Sequence, residues 1–162
     1  MTRFARRWLI GLGITAAVPI LGLAGLSIRS RFVQPATSEP PPPGGRLAPC
    51  PESPNCVCSQ DDPTDPVHFI EPLRWDGPPE EGLERLKTAA AQRFSGTVAA
   101  EEPGRYVRME CLTQLFWFVD DLEFLADPAH GVIHVRSASR VGRSDLGVNR
   151  ARVETLRDAL NK

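Results

Sequence analysis

The sequence predicts an α+β domain behind an apolar N-terminal segment, and three observations carry that prediction. Between Tyr106 and Ser139, apolar and polar residues alternate with period two, the pattern of a half-buried antiparallel sheet. Two stretches, from about Pro79 and from about Val148, instead repeat apolar residues at three- and four-residue steps. Their order is strand, helix, four strands, helix, which gathers two helices on one face of an antiparallel sheet of four to five strands. A chain of 162 residues holds one such domain with extras.

The extras come first. Trp8 to Ile28 carries no charged residue across 21 positions, and a helix of that length reaches ~30 Å, the thickness of a bilayer's hydrocarbon core. Residues 1–30 therefore read as a single-pass membrane anchor. A cleaved signal is the alternative, with Gly22-Leu23-Ala24 as a small-x-small cleavage pattern, and a core helix is the third reading. Arg3, Arg6 and Arg7 precede the run and only Arg29 and Arg31 follow it, which favours a cytoplasmic N-terminus and an exported domain. If the segment is cleaved, the domain is secreted or periplasmic.

Residues 31–49 read as a proline-rich linker. Eight of the twenty residues from Pro35 to Pro54 are proline, a composition that favours polyproline II and excludes helix or central strand. As a semi-rigid spacer, Pro35 to Pro49 would reach ~45 Å.

The domain is then 50–162. Val67 to Leu73 is its first strand candidate, ended by the turn at Asp76-Gly77-Pro78-Pro79. The first helix opens on Pro79, which suits the first helical position, and shows Leu83, Leu86, Ala90 and Phe94 as its stripe before Gly96 closes it. Thr97 to Glu101 and Tyr106 to Thr113 follow as strands, the latter alternating Val107, Met109 and Cys111 with Arg108 and Glu110. In Phe116 to Leu125, the residues Phe116, Phe118, Leu122 and Phe124 share a face with Asp120. In Val132 to Ser139, Ile133 and Val135 oppose His134 and Arg136. The last helix, from about Val148, buries Val153, Leu156 and Leu160. The polar sheet face collects Arg108, Glu110, Asp121, Glu123, His134 and Arg136. It reads first as solvated cross-strand pairing and second as an open charged binding surface.

Charge excludes one class of partner. The five arginines of the first 34 residues meet no acidic residue, and the remainder holds 14 basic against 20 acidic residues. So acidic a domain is not built to displace counterions from nucleic acid.

Three clusters carry candidate chemistry. Cys50, Cys56 and Cys58 lie within nine positions, with Cys111 far off. Gaps of five and one do not match zinc-ligand spacing, so no metal is assigned. An even count behind an export segment points to disulfides. Cys50–Cys56 with Cys58–Cys111 is the preferred pairing because it ties the proline arm to the sheet; a buried free Cys111 thiol is the alternative. Asp120 stands among apolar residues and needs a cation, for which Arg140, Arg143 and Arg150 are nearest in the chain. The third cluster, RSASRVGRSDLGVNR from Arg136 to Arg150, joins a strand to a helix. Ser144 or Asp145 can cap that helix, and the arginines beside its N-terminus offer an anion site instead. No G-x-S-x-G elbow or phosphate loop is present, and no cofactor is implied.

Taken together, CPESPNCV at Cys50–Val57, FVDDLEF at Phe118–Phe124 and IHVRSASRVGRSDLGVNRARVETLR at Ile133–Arg157 resemble the domain of unknown function 1499 family. The resemblance implies an α+β domain, often behind a membrane or export segment, and no established activity. The chain departs from the family pattern at Cys58, usually small and polar, and at Arg143, usually aromatic. The resulting expectation is a membrane-tethered or exported binding or envelope module, its partners being the membrane and a small ligand or envelope protein. Its polar site would hold Asp121, Glu123, Arg136, Ser137, Ser139, Arg140, Ser144, Asp145, Asn149 and Arg150. Two rivals remain: a hydrolase using Asp121 or Glu123 as general base, and a disulfide-stapled structural interaction domain.

Overall fold

A period of two places alternate side chains on opposite faces of a strand, so the register of the sheet decides which charges meet. The computed structural model describes residues 21–36, 39–113 and 117–161. Most of the expected anchor lies outside these residues, and no helix among them is long and apolar enough to cross a membrane. A first helix, α1, covers residues 21–32 of the described chain. It is followed by β1 (Cys56–Cys58), β2 (Leu73–Arg74), α2 (Pro79–Phe94), β3 (Thr97–Glu102), β4 (Tyr106–Leu112), β5 (Val119–Asp127), β6 (Val132–Ser139) and α3 (Val148–Leu160).

The described strands form one six-stranded antiparallel sheet in the order β1-β6-β5-β4-β3, with β2 also paired to β6. The α+β class holds. The strand count is higher than expected because β1, only three residues long, is too short to show a period. The strand expected over Val67–Leu73 shrinks to Leu73–Arg74. Just ahead of it, the Asp65 carboxylate accepts from the N–H groups of Val67 and His68 and bonds the His68 ring. Such local bonding offers the backbone an alternative to a ladder. Phe116 lies outside the described residues, and Trp117 adopts φ 52°, so β5 starts only at Val119.

One core joins Leu86 and Ala90 of α2, Val153 and Leu156 of α3, and the inward residues of β4, β5 and β6. A second, smaller core sits on the opposite face and holds Leu47, Cys58, Tyr106 and Leu125. That second core corrects the expectation of a solvated face. Arg108, Asp121, Glu123 and Arg136 share the face with Tyr106 and Leu125, and all four are buried. The proline-rich stretch read as a spacer covers them. Proline has no N–H to leave unsatisfied, and its carbonyls still accept. Arg105 Nη2 accordingly donates to the Pro41 carbonyl at 2.6 Å, while Leu47 N donates to Gln60 Oε1 at 2.8 Å and Cys50 N to Asp61 Oδ2 at 3.1 Å.

Cys50 and Cys56 form a disulfide, as expected. The proposed Cys58–Cys111 bridge does not form, and both thiols are free and buried. The sheet itself forbids it. Cys58 belongs to the core under the arm and Cys111 to the core under the helices, on opposite faces, with β6 and β5 between their strands. Burial pushes each thiol up to about 11.

Two outcomes follow. Leu47→Ala should cost ~2–4 kcal/mol in denaturant unfolding, as for a buried core leucine; a loss below ~0.5 kcal/mol would mean the arm is only a spacer. Iodoacetamide near neutral pH should leave the native chain unmodified and add two groups after unfolding without reductant, read by intact mass.

Candidate functional site

Antiparallel register brings opposite charges together on the arm-covered face. Glu123 sits across from Arg108 on β4 and Arg136 on β6, and Asp121 across from Glu110. Arg136 Nη1 donates to Glu123 Oε1 at 2.9 Å, and the Tyr106 hydroxyl donates to Oε2 at 2.8 Å. Asp121 Oδ1 accepts from Arg108 Nη1 at 3.2 Å and Arg140 Nη2 at 2.7 Å, and its Oδ2 from Arg140 Nε at 2.8 Å. Arg140 also reaches Glu110. Every oxygen of both carboxylates is engaged, so neither is placed to take a proton from a substrate. A cavity of about 420 Å³ remains between Pro49–Pro51 and Asp121, Arg136, Ser139 and Arg140.

The helix-facing side carries a different network. On α3, Asn149 and Arg152 continue the buried stripe of Val153, Leu156 and Leu160. Arg152 Nη2 donates to Asp120 Oδ2 at 2.6 Å, and its Nη1 donates to Asn149 Oδ1 and Ser137 Oγ. The cation for Asp120 is thus Arg152, not Arg140, Arg143 or Arg150. A helix brings residues three apart to one face, and chain distance is no guide to that. Asn149 Nδ2 donates to the Asn55 carbonyl and to Ser139 Oγ, which ties α3 to the cysteine block. Asp145 accepts from Asn149 N at 2.7 Å and so caps α3 from two residues ahead of its N-cap Gly147. Arg150 clamps the loop carbonyls of Pro66, Val67 and Phe69. The expected site therefore divides. Asp121, Glu123, Arg136 and Arg140 lie under the arm; Ser137 lies under α3, bonded to its Asn149; Ser139, at the end of β6, borders both cavities; Ser144, Asp145 and Arg150 organise loops.

Beside the Asp120–Arg152 pair, the surface opens into an apolar groove of about 630 Å³. Leu23 and Leu26 of α1 form one wall, Leu112 and Phe118 another, and Val141, Leu146 and Val148 the third. Asp120 and Arg152 line its floor. α1 is fastened to this edge by Ser30 Oγ, which accepts from Val119 N, and by Ser27 Oγ, which donates to the Trp117 carbonyl. Trp117 is 63% exposed and Leu146 93%. Both hold left-handed backbone, φ 52° and 55°, which costs a non-glycine residue ~1–3 kcal/mol.

The family whose model matches residues 46–160 is described as a protein of unknown function, DUF1499. The chain belongs to the DUF1499 family. Nothing among curated proteins or solved structures matches it. The match reaches back to Arg46 and so takes in Leu47, the arm residue buried against the DUF1499 sheet.

Sequence reasoning missed Arg152 and the groove. Arg152 was legible as a charge on an apolar stripe, and Leu146 and Val148 as apolar residues in a polar loop. The meeting of α1 with β5 left no sequence signal.

Burial raises the Asp120 carboxyl above its ordinary range against the pull of Arg152 and Ser139. A raised carboxyl contributes stability below its unfolded value, and that contribution is lost as pH rises through the folded value. Relative to Asp120→Asn, the native chain should lose stability as pH climbs from about 4 upward, read by denaturant unfolding at each pH. Arg152→Leu should cost ~3–5 kcal/mol, and Asp120→Leu in the same chain should restore much of it.

Proposed function

We propose that this DUF1499 chain is a binding module, membrane-tethered or exported, whose ligand site is the apolar groove between α1, the start of β5 and the loop before α3. The observation that carries the reading is the groove itself. Its volume of about 630 Å³ and apolar walls over a few polar groups match the usual build of small-molecule sites, ~300–1,000 Å³. Leu146, exposed and in left-handed backbone, lines it, and strain of that kind gathers at functional sites.

Tethering is supported by the uncharged run Trp8–Ile28, whose last eight residues lie in α1. Export is supported by the Cys50–Cys56 disulfide, since such bonds persist in oxidising compartments. The groove is walled by α1, so the ligand site adjoins the segment expected in the bilayer. A second reading keeps the polar cavity under the arm as the site, because it gathers Asp121, Arg136, Ser139 and Arg140. It is the weaker one. Its two arginines are already paired with Glu123, Asp121 and Glu110, so an added anion would have to displace one of these carboxylates.

Ala151 is an exposed α3 residue lining the groove, and Ala151→Trp would fill it. In nanodiscs containing a phosphatidylcholine with a photoreactive acyl chain, labelling of residues 141–155 in the full chain should fall about tenfold in this variant. Its melting temperature should stay within a few degrees of the native value. Unchanged labelling would sink the groove as the ligand site.

A further inference from the structure

The exposed apolar side chains of this chain are not scattered. Among the described residues nine large hydrophobics are exposed, and all but Val67 and Val98 belong to α1 or to the two segments beside it. Those segments are the β4–β5 turn, with Trp117, and the loop that carries Leu146 into Val148 at the start of α3. They adjoin α1 directly: Ser27 bonds the Trp117 carbonyl, and Leu26 and Leu146 line one groove. A single exposed apolar residue is ordinary, but a contiguous patch marks a contact surface.

The two faces of α1 point to what covers it. Leu23, Leu26, Ser27 and Ser30 hold the i, i+3, i+4 and i+7 positions of one face, and that face meets the domain. Leu21, Ile28 and Phe32 stand on the other face, and all three are exposed. A helix apolar on both sides belongs inside a protein core or a membrane. The chain ahead of α1 favours the membrane, because the uncharged run begins at Trp8 and ends within α1 at Ile28. A run of that length needs nearly all its residues to cross ~30 Å of hydrocarbon. The domain, however, meets the run at Leu23, five residues and so ~7.5 Å of helix axis before its end. An edge seated that far inside the apolar length lies among headgroups and outer acyl carbons, the ~5–10 Å depth that interfacial segments reach. Trp117 suits that level, where amphipathic rings gather. Arg29, Arg31 and Arg143 are exposed at the same end and supply cations for lipid phosphates.

We propose that this end of the domain is a membrane-contact surface: lipid covers the outer face of α1, and Trp117 and Leu146 enter the bilayer interface. The domain then lies on the membrane instead of standing ~45 Å away on the proline stretch. This rests on the tethering proposed above and not on the groove's being a ligand site.

The test uses the full chain in nanodiscs of phosphatidylcholine and phosphatidylglycerol, with a nitroxide on Leu146→Cys or on Ala129→Cys. Both positions are exposed and both native free thiols are buried, so labelling is confined to the new cysteine and packing is undisturbed. Ala129 lies in the turn beyond β5, at the end of the strand opposite Val119 and ~26 Å of strand away from it. The label at 146 should be about tenfold less accessible than that at 129 to a water-soluble nickel chelate, and more accessible to oxygen, which concentrates in acyl chains. Intact mass should show residues 1–24 still attached. A retained N-terminal segment with position 146 as open to the chelate as position 129 would overturn the contact surface alone, as for a patch kept for a protein partner. Loss of residues 1–24 from chain recovered from membranes would overturn the tether and the surface together. The groove could fail as a ligand site with both signals intact.

Discussion

Three carboxylates on one strand set the conditions for the rest of this domain. Asp120, Asp121 and Glu123 of β5 are all buried, and buried charge is tolerated only with a hydrogen-bonded partner. Alternation sends Asp120 to the helix side and the other two to the arm side. The domain therefore needs guanidinium groups on both faces of its central strand. Arg152 of α3 serves one face, and Arg108, Arg136 and Arg140 serve the other. Taking away Arg152 or Arg136 leaves a buried carboxylate without its guanidinium, whereas Asp121 has two.

The proline arm follows from that constraint. A face of alternating charges exposed to water would gain little from its ion pairs. Covered by Leu47 and by Pro49 and Pro51 after it, the same pairs work in a medium that strengthens them. The Cys50–Cys56 disulfide sits where the arm joins β1, so cover and sheet are linked by covalent as well as apolar contact. The end of the arm packs on the sheet, and the family match takes in its last residues from Arg46.

The proposed binding role rests on the helix side of the sheet. On the arm side the carboxylate oxygens are bonded and the charges cancel. On the helix side, an apolar groove opens beside the buried Asp120–Arg152 pair. The loop from Val141 to Val148 keeps Leu146 exposed in a left-handed conformation, a local choice that packing alone would not favour.

By itself the sequence determined the class of fold, the bounds of α2 and α3, the strands from Thr97 onward and the pairing of Cys50 with Cys56, because each rests on periodicity or on spacing within a few residues. It also marked Asp120 as a charge in need of a cation. Only the tertiary structure decided which arginine that is, that the serine-arginine block divides between two faces, and that Cys58 and Cys111 cannot meet. It alone decided that the proline stretch is a cover. Each of these depends on register across the sheet and on which segment lies over which face, and a one-residue change of register would exchange the faces without altering the pattern along the chain.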